Sequence, residues 1–215
     1  VSRTKKLYKN TYRNVEDVKD RDGNYLKSYV IGDDYYITRS SNLWYNMNTR
    51  CKVGGAEQKR NPCYIGVTHE FENYNSFTVW CNFQQGYLDK TDNGTFWQLD
   101  KDLITPGNKC YSPENCLFVP QDVNSLFVRG NSNVNLPLGV YMHRGLFVPR
   151  EGGLYRGWLG YFTDPLEAHK VWQRAKVAKI EVLTEKYSSY FRLTEALNRN
   201  KIRLQNDIDN DQQTF

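Results

Sequence analysis

Residues 97–124 read WQLDKDLITPGNKCYSPENCLFVPQDVN, and no other stretch of the chain limits its possible folds as strongly. Asp100 and Asp102 lie on one short strand-like run, followed by a turn bearing Gly107 and a second strand that Tyr111-Ser112-Pro113 closes. Asn115 and Asn124 then fall where a helix begins and continues. Strand side chains alternate between faces, so Asp100 and Asp102 are predicted to share one. The whole reads as a strand, a turn, a strand and a helix, dotted with side-chain oxygens.

That oxygen set suits a hard divalent cation, because Mg²⁺ takes one or two protein oxygens and keeps several waters. Asp100 and Asn124 are the candidate ligands. Asp102 is either a further ligand or the charge partner of Lys101 or Lys109. The amide of Asn115, at the expected strand-to-helix junction, either caps the helix or orients a base. A cation beside a base that activates water is what phosphodiester hydrolysis requires.

The segment resembles the HNH endonucleases of phages and phage introns, whose motif runs Asp-His, then Asn, then a final His or Asn. Asp100 matches the metal-binding Asp, Asn115 the orienting Asn and Asn124 the last metal ligand. The resemblance implies a ββα-metal core that cuts DNA with Mg²⁺ or Mn²⁺. The sequence departs from the motif at one point, where Lys101 stands in the place of the catalytic His. An exposed lysine titrates at about 10.4 and is protonated at neutral pH. The base is therefore a Lys101 of lowered pKa, a metal-bound hydroxide or another side chain such as His69. Lys109 is the candidate for stabilising the charge that develops on the phosphate.

Around this segment the chain reads as a succession of parts. Residues 1–31 form a basic arm, with Arg3, Lys5, Lys6, Lys9 and Arg13, and a hairpin turn at Asp22-Gly23-Asn24. Residues 32–130 form the nuclease-like block: a brief strand over 32–37, a helix capped by Ser40 or Ser41 and running to Cys51, and an amphipathic helix over 75–85. YIGVT, LDKD, GNK and YSPENC are its landmarks. Residues 131–135, within RGNSNVN, have the composition of a linker. Residues 136–183 predict three short strands, around 139–143, 146–150 and 155–161, and a helix from Asp164 or Pro165. With GVY, LGYF and EAH, this part resembles the AP2 DNA-binding domain, whose sheet enters the major groove. Arg144, Arg150, Arg156 and Trp158 are the residues that this resemblance turns toward DNA. Residues 184–215 predict a helix over 185–205 and a frayed acidic end.

Composition excludes more than it identifies. The 215 residues carry a net charge of +5, compatible with a polyanionic partner. They are 39% hydrophobic and 14% aromatic, so an aromatic core is expected. There is no apolar run of about twenty residues for a membrane span, and the first residues lack a signal-peptide core. A cytoplasmic protein without a membrane partner is expected, in a host cell if the chain is phage-encoded. Five cysteines without a CxxC pair predict buried thiols and no structural zinc.

The expectation is thus an α+β protein: a metal-dependent, homing-type DNA endonuclease with an AP2-like sheet that anchors it on duplex DNA. The rival readings are a DNA-binding protein with an inactive HNH fold and a virion-associated protein-interaction module.

Overall fold

The computed structural model describes residues 9–127, 136–150 and 159–214. It is a mixed α+β structure with small sheets, as the sequence predicted at the level of class. Two compact units make it up, one from residues 9–84 with 107–116 and the other from 85–106 with 117–214. The chain therefore passes between the units inside 97–124, whereas the sequence pattern suggested parts that follow one another. The expected linker at 131–135 lies outside the described residues.

In the first unit, β2 (Ser28–Ile31) and β3 (Asp34–Thr38) form an antiparallel hairpin, and β1 (Asn10–Val15) runs parallel to β3. Tyr12, Tyr36 and Tyr29 are in register across the three strands and stack, with ring centroids 4.9 and 5.1 Å apart. Such cross-strand pairs hold sheets together, but they join residues far apart in sequence. The local pattern showed only the middle strand.

α1 (Arg39–Cys51) has Thr38 at its N-cap and so starts two residues before the helix that a Ser40 cap predicts. The Ser40 hydroxyl is spent instead on Asp17 Oδ1, 2.7 Å away. A short α2 (Ala56–Arg60) leads to β4 (Thr68–His69) and α3 (Tyr74–Asn82). Asn73 and Ser76 cap α3 reciprocally, each side chain meeting the other's backbone N–H. Phe77 and Cys81 face inward with Met47 and Phe71, while Trp44 and Trp80 pack against Phe77. The core is aromatic, as composition suggested. β4 pairs in parallel with β6 (Cys110–Tyr111).

The second unit contains an antiparallel pair, β5 (Gln98–Asp100) with β7 (Leu117–Val119), followed directly by α4 (Gln121–Phe127). The strand expected to partner β5 was 110–111. It pairs with β4 instead, and β5 finds its partner seven residues later. Leu117, Phe118 and Val119 are all buried, which explains an apolar run without alternation. Gly86 permits this packing: at φ +85 a side chain is strained, and a Cβ there would stand 2.6 Å from the Trp97 indole.

β8 (Val140–His143) and β9 (Leu146–Pro149) form a hairpin whose two turn residues, Arg144 and Gly145, have φ of 50° and 80°. Positive φ at both positions matches the right-handed twist of the strands. Phe162 bridges β9 through Phe147, so the hairpin has a neighbour on its far side. α5 (Pro165–Lys186) lies on the hairpin, with Asp164 at the N-cap and Pro165 in the first turn, as predicted. It runs through the expected boundary at 183. α6 (Phe191–Asp209) is the predicted last helix shifted toward the C-terminus, because 187–190 form the turn between the two helices.

The end of the described chain is not frayed. Thr214 is buried against α5, its N–H donating to His169 Nε2 at 3.1 Å. Gln173 Nε2 donates to Gln212 O and to Thr214 Oγ1, and Thr214 Oγ1 donates to Asp207 Oδ2. Polar residues at a chain end suggest a solvated tail, but these ones satisfy buried polar groups on α5.

Candidate functional site

Asp100 ends β5. Its Oδ1 accepts the backbone N–H of Asp102 at 2.9 Å and of Leu103 at 2.7 Å. This aspartate turn ends the strand, so Asp102 is not a strand residue and the expectation that both carboxylates share a strand face is corrected. The turn is pinned from below: Leu103 is buried, and its carbonyl accepts from Asn200 Nδ2 on α6 at 2.8 Å.

Burial, with the neighbouring Asp102 carboxylate adding to it, pushes Asp100 up to about 6, against the opposing pull of the two backbone N–H groups and Lys101. Its Oδ2 accepts no hydrogen bond among the described residues. Lys101 is buried, and its Nζ is 3.0 Å from Asp102 Oδ2. Of the two roles open to Asp102, charge partner or ligand, this geometry realises the first. In this pair Lys101 Nζ acts as a hydrogen-bond donor, to Asp102 Oδ2.

Asn124 lies on α4. Its Nδ2 donates to Gln98 Oε1, and Gln98 Nε2 donates to Gln121 Oε1. Gln98 and Asp100 are two apart on β5 and so share a face, about 7 Å apart along the strand. Asn124, bonded to Gln98, stands on that same face. The amide oxygen of Asn124 has no hydrogen-bond partner among the described residues. Two open oxygens, one carboxylate and one amide, therefore belong to one β-strand, β-strand, helix unit.

α4 is held from its other side. Asp122 accepts from Lys186 Nζ at 2.8 Å and from Tyr187 OH at 2.9 Å. These contacts pull Lys186 well above the usual lysine range. Nothing in the local sequence marks Asp122, whose partners lie more than sixty residues away.

Asn115 and Lys109 belong to the first unit. Asn115 is not at a strand-to-helix junction, since β7 separates it from α4; its N–H and Nδ2 both donate to Ser112 Oγ, at 3.3 and 3.1 Å. Lys109 Nζ donates to Cys63 O at 2.5 Å. His69 is also in the first unit, with its ring edge-on to Trp44 and a buried Nδ1 that has no hydrogen-bond partner among the described residues.

Hard oxygen donors of this kind fit Mg²⁺ or Mn²⁺. Among the described residues no three His, Cys, Asp or Glu side chains gather as a metal site. All five cysteines are free, with Cys81 and Cys116 buried, Cys51 and Cys110 partly so and Cys63 exposed.

The exposed basic residues of the hairpin take positions other than those expected. Arg144 is at the tip of the turn rather than on a strand. Arg150 follows β9, its N–H donating to Gly139 O and its guanidinium lying 5.8 Å from the Tyr141 ring centroid. Tyr141, Met142 and His143 are exposed beside them. Arg156 and Trp158 lie outside the described residues. No described helix is long and apolar enough to cross a membrane. Compared with known protein families, characterised proteins and solved structures, the chain matches none of them.

Proposed function

We propose that the chain is a metal-dependent DNA endonuclease of HNH type, with Asp100 and Asn124 holding Mg²⁺ or Mn²⁺ and the β8–β9 hairpin contacting duplex DNA. The observation that carries this reading is the pair of open oxygens on one face of the β5, β7 and α4 unit. A divalent cation held there would supply Lewis-acid chemistry at a phosphate oxygen and would lower the pKa of a water bound to it. Asp100 Oδ2 and Asn124 Oδ1 would hold it, while Asp100 Oδ1 keeps the loop closed by accepting the N–H groups of Asp102 and Leu103. Asp102 neutralises Lys101 and so prevents a buried ammonium from repelling the cation. Arg144 and Arg150, exposed on the hairpin, supply phosphate contacts. Asn115 and Lys109 carry no step in this reading.

A second reading, a DNA-binding protein without cleavage, is favoured by the Lys101–Asp102 ion pair, which occupies the place where the motif has its base. Nicking of supercoiled plasmid in Mg²⁺, Mn²⁺ or EDTA separates the two. Metal-dependent relaxed product from wild type and none from Asp100→Ala supports the nuclease. Equal product from both, in a preparation free of contaminating nuclease, removes Asp100 from the chemistry.

A further inference from the structure

An asparagine presents its oxygen or its nitrogen to a given point according to a half turn of its amide, and only the oxygen ligates a hard cation. What fixes the choice at Asn124 is its neighbour on β5. Asn124 Nδ2 donates to Gln98 Oε1, and the other end of the Gln98 amide donates to Gln121 Oε1. With Gln98 in this sense, turning Asn124 over would set two carbonyl-type oxygens against each other. The amide oxygen of Asn124 is thereby directed away from Gln98, as a ligand must be.

We propose that Gln98 is a positioning residue for the cation site, holding the Asn124 amide with its oxygen outward. The inference rests on the reading that Asp100 and Asn124 bind a divalent cation. It does not need Gln98 to hold the helix, because α4 is fastened independently by Asp122 to Lys186 and Tyr187. Gln98 is partly buried while Gln121 is exposed. The Gln98–Asn124 bond transmits the orientation to Asn124, and the bond from Gln98 Nε2 to Gln121 Oε1 holds Gln98 in the sense that this requires.

The test uses the full chain and Mn²⁺ alone, with binding followed by calorimetry and by the loss of the free-ion electron paramagnetic resonance signal. Gln98→Met keeps the length and apolar stem but accepts no hydrogen bond. It is expected to weaken Mn²⁺ binding by about 10–100-fold, the usual cost of removing a partner that orients a ligand. Gln98→Glu still accepts from Asn124 Nδ2 and is expected to bind at least as tightly as wild type. Thermal unfolding in EDTA is expected to be the same for Gln98→Met and Asn124→Ala, so that a weakened site is not mistaken for a loosened fold. Wild-type affinity in Gln98→Met beside weak binding in Asn124→Ala overturns the positioning role and leaves the cation site standing. Absence of Mn²⁺ binding by the wild type overturns the cation site itself, and the role of Gln98 with it.

Discussion

The backbone N–H of Thr214 donates to Nε2 of His169 at 3.1 Å, and Nδ1 of the same ring is 2.8 Å from Leu138 O. The two contacts assign the tautomer: Nδ1 carries the proton and donates, and Nε2 accepts. A second proton on the ring would place Nε2–H against the N–H of Thr214. Burial pushes His169 down, opposed by the Leu138 carbonyl and by Asp207.

A depressed histidine pKa gives stability that is complete above the unfolded value, near 6.5, and is lost as pH falls through the folded one. Between pH 8 and pH 5 the wild type is therefore expected to lose more stability than His169→Gln, which does not titrate. Urea denaturation of both proteins at the two pH values measures this. Parallel losses would show that His169 does not hold the 212–214 segment by its neutral form.

Asp100 has the opposite sign. Its folded pKa of about 6 exceeds the ordinary 3.8, so the metal-free fold bears a cost that is full above about 6 and vanishes as pH falls toward 3.8. Asp100→Asn keeps the oxygen that accepts the N–H groups of Asp102 and Leu103 and removes the charge. In EDTA at pH 7 it is expected to be more stable than wild type, by at most roughly 3 kcal/mol. The difference should close by about pH 4, and an advantage that persists there would assign the gain to something other than ionisation.

How much of this was legible in the sequence differs by element. The Asp164-Pro165 helix start and the turn at Gly145 are local chemistry, and the pattern places them correctly, although Arg144 was expected on a strand and is the other turn residue. β5 and a helix carrying Asn124 were legible, but β7 was not: residues 117–119 fell inside the helix expected from Asn115, because an apolar run without alternation does not declare itself a strand. The candidate ligands Asp100 and Asn124 were named from the motif; Gln98, which brings Asn124 to the Asp100 face, was not. Its role depends on a bond spanning 26 residues. The Asp102 misreading has a local cause: Asp100 folds its own carboxylate onto the next two N–H groups, ending the strand that alternation assumes.

Lys101 decides between the expected base and a structural charge. Its Nζ is ion-paired with Asp102 and its side chain is nearly buried. Lys101→Met is therefore expected to keep metal-dependent nicking within about tenfold of wild type, well short of the roughly 10²–10⁴-fold that a lost general base costs. Single-turnover nicking at saturating Mn²⁺ measures it without a contribution from metal affinity. A loss of several hundredfold under those conditions would restore Lys101 as the base.

The hairpin offers the test of the DNA partner. Arg144 projects from the turn and Arg150 from the end of β9, where it lies over Tyr141. If both meet phosphates, Arg144→Ala with Arg150→Ala lowers affinity for duplex DNA at low salt and flattens its salt dependence, because each phosphate contact contributes about 0.9 to the slope of log affinity against log salt. The expected change in slope is about one to two units, read by fluorescence anisotropy on a labelled duplex over a salt series. The intact chain is the right material, since α5, which covers the hairpin, is tied to α6 and to Thr214, and a fragment ending at 183 would cut α5 within its last turn. An unchanged slope with reduced affinity would mean that the arginines act through the Tyr141 stack and the shape of the hairpin, and a wild type that binds without salt dependence would remove DNA as the partner of this surface.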